Sequence, residues 1–321
     1  MTANASLVGF IGLGTMGAPM ALNLVKSAIP LIVWNRSAAK SRPLDAAGAE
    51  VARCSDEVFA RAETIFLMLG DGAAIDAVLR RSVADLGDRV LGKTIVHMGT
   101  TAPAFSLALE KDVRSAGGAY VESPVSGSRV PAQTGQLVAM LAGEPCVVDR
   151  TRPLLAPMCR EAIYCGPVPS ALQMKLAVNA FLLPLVTALA ESMHFAARHD
   201  LNVQQLVSIL DAGPMASVVS RAKAAKLANR EFTVQASVAS AFENCRLTAE
   251  AAREAGISSP LIDVCHALYG EALQLGVAEL DMVAVLEAFE QRTKQHVHAH
   301  AGQRSPDPMR VSRGTATRRA T

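Results

Sequence analysis

A lysine at the head of an apolar helical run is the residue in this chain best placed to move a proton. Lys175 precedes Leu176–Ala190, a stretch of 15 residues without a charged side chain. A strongly hydrated ammonium is costly there unless it is used or paired. Asn179 follows one helical turn later, so the two side chains share a face. Partial desolvation lowers a lysine pKa toward neutrality, which suits general acid–base work, and Asn179 can orient the ammonium or a substrate oxygen. The same spacing also fits a lysine that only snorkels from the first turns of a buried helix. Spacing alone supports both readings.

A second constellation says what is bound. The apolar run Val8–Ile11 leads into Gly12-Leu13-Gly14-Thr15-Met16-Gly17, a G-x-G-x-x-G turn, with a helical pattern from Thr15 to about Ala28 and a strand over Leu31–Trp34. In this context Gly12 makes the tight turn, Gly14 lets the backbone approach a pyrophosphate, and Gly17 lets the helix pack close to the strand. The helix N-terminus then offers free N–H groups to the phosphates. NAD-preferring sites carry a carboxylate about 20 residues after the glycines, to hold the ribose hydroxyls. Here Asn35-Arg36-Ser37 stand at that point. Arg36 supplies a guanidinium, and Asn35 and Ser37 supply hydrogen-bond donors, for a 2′-phosphate. Ser37 also fits a helix N-cap. The pattern favours NADP(H) over NAD(H).

These groups need rigid elements to hold them. From residue 7 to about 165, short apolar runs (64–69, 93–98, 118–121, 137–142 and 161–165) alternate with helical stretches such as 101–116. The alternation predicts a doubly wound parallel sheet, with ligands at the carboxyl ends of its strands. From Ser170 to about Arg292 only helical periodicity remains, beginning with one long helix to His199 whose middle is apolar nearly all round. Such a helix is expected to be buried between domains and between subunits. The expected organisation is a nucleotide-binding domain over residues 1–166, an all-helical substrate and dimerisation domain over 167–294, and a disordered tail over 295–321.

Bulk properties narrow the class. The 321 residues are half hydrophobic and 4% aromatic with a net charge of +2, which gives no footprint for nucleic acid or an acidic membrane surface. Five arginines against one aspartate after residue 300 hold part of the basic excess. Met1–Ser6 is too short and polar for a secretory leader. The uncharged run 176–190 is too short to span a bilayer. Six scattered cysteines without a C-x-x-C pair suit buried thiols in a reducing, cytoplasmic setting. Alternating His296, His298 and His300 resemble a metal tract only weakly, so no metal is expected.

GFIGLGTMG, Asn35-Arg36, Glu122-Ser-Pro-Val-Ser-Gly-Ser128 and Lys175-x-x-x-Asn179, in that order, resemble the β-hydroxyacid dehydrogenases, close relatives of the imine reductases. The resemblance covers nearly all of residues 7–290 and implies an α/β Rossmann domain followed by an all-α dimerisation domain in a homodimer or homotetramer. It implies a small-molecule substrate. Lys175 would protonate the new alkoxide in reduction and act as base in oxidation, supported by Asn179. Ser126, Gly127 and Ser128 match the loop that holds the substrate carboxylate, Thr100 the threonine near the nicotinamide, and Met68 and Leu69 the strand end beside the cofactor.

Departures from the family pattern are equally specific. Of three glycines usual before the lysine, the chain keeps Gly166 and has Pro169 and Ala171 at the others. Ser128 replaces a glycine, and Gly99 a serine. Glu243-Asn244 stand where members with small acidic substrates carry Lys-Asp. A carboxylate in the pocket would repel an acid and attract an amine or iminium, whereas Glu243 paired with Arg246 would be an ordinary surface contact. Three functions therefore remain: a carbonyl/alcohol oxidoreductase using Lys175, an imine reductase, and an inactive dehydrogenase-fold scaffold.

Overall fold

The computed structural model describes residues 6–81 and 85–303, the last helix beyond residue 296 by its backbone alone. Nine strands form one sheet: β1 (Val8–Ile11), β2 (Leu31–Trp34), β3 (Glu50–Val51), β4 (Thr64–Leu67), β5 (Thr94–His97), β6 (Ala119–Glu122), β7 (Val125–Ser126), β8 (Leu137–Gly143) and β9 (Cys159–Gly166). Their order is β3-β2-β1-β4-β5-β6-β8-β7, with β9 also paired to β8. From β3 to β6 all pairings are parallel, and side chains alternate between two packed faces. Phe10, Phe66 and Val96 face Met20 and Leu24, while Ile65, Leu67 and Ile95 join Val58 and Leu79 on the other side.

The far end departs from the expected parallel sheet. Strand β8 runs antiparallel to both β6 and β7, and β9 is parallel to β8. The connections explain this: β6 and β7 are separated by two residues, and β7 and β8 by a short helix, Arg129–Gln133. Neither link is long enough for a parallel crossover. The 11-residue helix Pro145–Leu155 does return the chain in parallel to β9.

The helix Ser170–Arg198 then enters the second domain. It is long and apolar enough, by length and composition, to cross a membrane, unlike the shorter uncharged run considered in the sequence. Here it is a core helix: Leu183, Val186, Ala190 and Met193 pack against Val238, Ala241, Leu268 and Tyr269. The last helix, Leu286–Gln303, continues past the boundary expected at residue 294. The remainder of the expected tail lies outside the described residues.

One buried ion pair braces the helical domain's side of the central cavity. Asp281 is fully buried and accepts two hydrogen bonds from Lys223 Nζ, at 2.8 and 3.0 Å, and one from the Gln235 N–H at 2.8 Å. The segment so held, Val234–Ser237, is a wall of the central cavity. Removing one member of a buried pair strands the other's charge, so Asp281→Ala is expected to cost about 3–5 kcal/mol. A urea unfolding midpoint unchanged from wild type would contradict that role.

Candidate active site

The carboxyl ends of β1, β2, β4 and β5 bring together the glycine turn, Asn35–Ser37, Met68–Gly70 and Met98–Thr100. Gly12 has φ +101°, and an added Cβ would lie 2.2 Å from the Met68 carbonyl oxygen. At Gly17 a Cβ would lie 1.9 Å from the Gly12 oxygen. Both positions thus require glycine for close packing. Gly14 differs, because a Cβ there would meet nothing within 4 Å among the described residues. Its backbone faces open space, as a turn that cradles a pyrophosphate should.

Two cavities meet at Thr15. One, of about 600 Å³, is lined by Gly14 and Thr15 and by Lys26, Lys40 and Arg129. The other, of about 490 Å³, is lined by Thr15 and Met16, by Met68 and Leu69, by Thr100, and by Lys175 and Asn179. This division suits an elongated dinucleotide: phosphates at the turn, a basic compartment at one end, and the reacting ring near Lys175 at the other. The residues present therefore fit the expected cofactor. Lys40 and Arg129 were not singled out in the sequence; the visible signals were one charge shortly after Asn35-Arg36-Ser37 and another just after Ser128.

Asn35 makes two contacts within the protein that the sequence does not show. Its Oδ1 accepts from the Leu13 N–H at 2.9 Å and its Nδ2 donates to the Ser37 carbonyl at 3.1 Å, so it braces the glycine turn. Arg36 is exposed and forms no ion pair among the described residues. Ser37 occupies the cap position of the short helix Ala38–Ser41, but its hydroxyl makes no capping bond.

Lys175 is 8% exposed and Asn179 3%. Burial alone pulls the Lys175 amine down to about 8, because no carboxylate among the described residues pairs with it. Asn179 Nδ2 donates to Asn244 Oδ1 at 2.9 Å, and Asn244 Nδ2 donates to the Ser240 carbonyl at 2.7 Å. That relay fixes the Asn179 amide and leaves its oxygen as the acceptor on the lysine's face.

Gly127 and Ser128 line the same cavity, whereas Ser126 sits in β7 opposite Val138 and is not among the lining residues. Glu243 combines the two roles weighed in the sequence. It lines the cavity, and it binds Arg246 through both oxygens, at 2.5 and 2.8 Å. Arg246 also donates to Glu250 at 2.6 Å, and these two carboxylates push its pKa up. One guanidinium is thus shared by two carboxylates, leaving net negative charge on this wall, to which Glu279 adds. At Gly99 a Cβ would lie 2.4 Å from the Leu69 carbonyl oxygen, so the loop before Thr100 has no room for the family's serine. No metal-binding cluster occurs among the described residues, and the side chains of His298 and His300 lie outside them.

Fold and site together define a two-domain, dinucleotide-dependent dehydrogenase. Residues 7–166 match the family described as the NAD binding domain of 6-phosphogluconate dehydrogenase, and residues 170–289 match "NAD-binding of NADP-dependent 3-hydroxyisobutyrate dehydrogenase". Over 283 residues the chain is 30% identical to glyoxylate/succinic semialdehyde reductase 1 of Arabidopsis thaliana, covering 88% of this chain and 98% of that one. The chain belongs to the β-hydroxyacid dehydrogenase family and is an NAD(P)-dependent oxidoreductase. A solved 3-hydroxyisobutyrate dehydrogenase from Mycobacterium tuberculosis shares the fold, with a TM-score of 0.77 over 88% of this chain and 99% of that one at 24% identity. An imine reductase from Pseudomonas sp. overlays with a TM-score of 0.60 over 89% of this chain and all of its own, also at 24% identity.

The buried ammonium has a stability signature. Its folded pKa of about 8 lies below the ordinary 10.5, so the folded state binds fewer protons than the unfolded state between those values, and stability rises with pH there. Lys175→Met should therefore be more stable than wild type at neutral pH, by up to about 3 kcal/mol, with the gain fading as pH rises through that window. Thermal melts at several pH values that show no gain at neutrality would contradict an unpaired buried charge.

Proposed function

We propose that this protein is an NADPH-dependent reductase of small carbonyl compounds, with Lys175 as general acid and Asn179 as its orienting partner. The observation that carries the reading is a lysine buried without a counter-charge in the cavity that also holds Thr100 and the glycine turn. A bound nicotinamide supplies or accepts the hydride. Lys175 then protonates the oxygen of the reduced carbon and withdraws the proton in the reverse direction. Its lowered pKa keeps the proton transferable near neutrality. Asn179, braced by Asn244, holds the ammonium or the substrate oxygen in register, and Gly127 and Ser128 offer a backbone N–H and a hydroxyl to a substrate carboxylate.

The 2′-phosphate preference rests on Arg36, with Lys40 four residues on in the chain and no carboxylate in Asn35-Arg36-Ser37. A dimer is supported by apolar side chains left exposed on the long helix, Phe181 at 73% and Phe195 at 62%. Six unpaired cysteines support a cytoplasmic setting. One observation favours a second reading. Glu243 and Glu279 on the cavity wall suit a substrate with an amine, or an imine, better than a dianionic acid.

Lys175→Ala is expected to lower kcat about 10²–10⁴-fold while NADPH affinity stays near wild type. Turnover that survives unchanged would remove the lysine from the chemistry. Arg36→Ala should weaken NADPH binding about 10–100-fold and leave NADH binding unaltered, the scale of one lost charge-assisted contact. NADPH oxidation against a mixed panel separates the substrate readings: small carboxylated aldehydes would support the first, and turnover confined to cyclic imines or amino-bearing carbonyls the second.

A further inference from the structure

A chain of buried polar side chains runs behind the active site and is used by none of the steps above. Strands β5 and β6 lie parallel, with Ile95 opposite Tyr120 and His97 opposite Glu122. Tyr120 and Glu122 are two residues apart and share a face, which the helix Pro103–Ser115 covers with Ser106. All four side chains are buried. Ser106 Oγ donates to Glu122 Oε1 at 2.5 Å, Ser106 Oγ and Tyr120 Oη are 2.7 Å apart, and Tyr120 Oη lies 2.8 Å from His97 Nδ1. The other carboxylate oxygen, Oε2, accepts the backbone N–H groups of Ala171 and Leu172, at 3.2 and 3.1 Å. Those residues open the helix that carries Lys175, one turn before it.

Proton counting gives the chain one direction. While Glu122 is ionised, the single hydroxyl proton of Ser106 goes to it, so Tyr120 donates to Ser106 and His97 Nδ1–H donates to Tyr120. His97 is then the neutral Nδ1–H tautomer, consistent with burial holding its pKa at about 4, and its bare Nε2 has no partner. That nitrogen faces Gly99, where a Cβ would lie 3.3 Å away, in the loop that bears Thr100. The chain therefore joins the cofactor-side loop to the first turn of the lysine's helix.

We infer that Glu122 is a positioning residue for the proton transfer: oriented by Ser106, Tyr120 and His97, its carboxylate fixes the start of helix Ser170–Arg198 and so sets the depth at which Lys175 is buried. The inference rests on the reading of Lys175 as the acid. A side-chain acceptor from another strand does here what no local cap does, since Pro169 precedes the helix and makes no side-chain capping bond. A carboxylate at this end also meets the positive end of the helix dipole. The groups that act on Glu122 are Ser106 and Glu110 from the covering helix and the two backbone N–H groups of the long helix; burial, the largest influence, pushes its pKa up to about 7. Cys165 on β9 also feels its charge. The cavity around Lys175 presents Asn179 on its own helix, Glu243 and Asn244 on helix Val238–Glu254, and Glu279.

The test reads Lys175 itself and needs no substrate. Only the neutral amine reacts with cyanate, so carbamylation of the Lys175 peptide, followed by mass spectrometry across pH, titrates that side chain in the folded protein. In Glu122→Gln, and independently in Ser106→Ala, the helix start loosens and water reaches the ammonium. The midpoint is expected to rise from about 8 toward the ordinary 10.5, with NADPH affinity within twofold of wild type. A midpoint unmoved in both variants, even with a lower Tm, would reduce the chain to a structural brace and overturn the inference. A midpoint that falls would overturn it too, because it would mean direct charge contact rather than placement. Should Glu122→Gln not fold, Ser106→Ala keeps the carboxylate and decides the question alone. Failure of Lys175 as the acid would show separately, as a shifted midpoint without loss of turnover in Lys175→Ala.

Discussion

Keeping an ammonium group inside an apolar helix without a carboxylate beside it is the constraint on which the rest of this molecule turns. Lys175 sits in the first turns of a 29-residue helix and is withdrawn from water. Its charge is therefore only weakly favoured, with a pKa of about 8. A carboxylate contact would have returned the lysine to its ordinary range and made it a poor proton donor near neutrality. The residue beside its partner Asn179 is accordingly uncharged: Asn244 holds the amide by a hydrogen bond and adds no charge. Negative charge is present in the cavity, yet Glu243 is engaged by Arg246 rather than by the lysine.

Holding a costly group in place calls for stiff surroundings, and both domains provide them. The sheet supplies strand ends that close on the glycine turn, with Asn35 pinning Leu13 and Gly99 pressed against Leu69. The helical domain supplies Asp281, whose contacts with Lys223 and the Gln235 N–H fix the segment facing the lysine. Glu122 belongs to the first domain but grips the first turn of the second. The interdomain cavity is thus held from the sheet, from the helix start and from the opposite helical wall.

Much of this was legible in the residues, and the exceptions have physical reasons. Strand Leu31–Trp34 and the start of the long helix at Ser170 are seen where the pattern put them, because a strand bounded by turns and a long periodic helix carry strong local signals. Lys175 was visible as a charge out of place. Strand β8 was found, but not its direction, since an apolar run reads alike whether its neighbours are parallel or antiparallel. Two-residue strands such as β3 and β7 have no period to detect. The Asn35 amide reads in the sequence as a donor, but that its oxygen and one N–H are engaged by Leu13 and Ser37 is seen only in the fold. Glu122 stood in plain sight inside a motif, yet its backbone partners are 49 and 50 residues away, a separation that only the fold closes.

The most direct measurement is the pH dependence of kcat for NADPH-driven reduction, using the carbonyl compound that the protein turns over best. If the buried Lys175 ammonium delivers the proton, the rate falls as pH passes about 8, where that group loses its charge. A rate that stays level up to the ordinary lysine range near 10.5 would mean that the proton comes from elsewhere, and that the burial of Lys175 serves the fold alone.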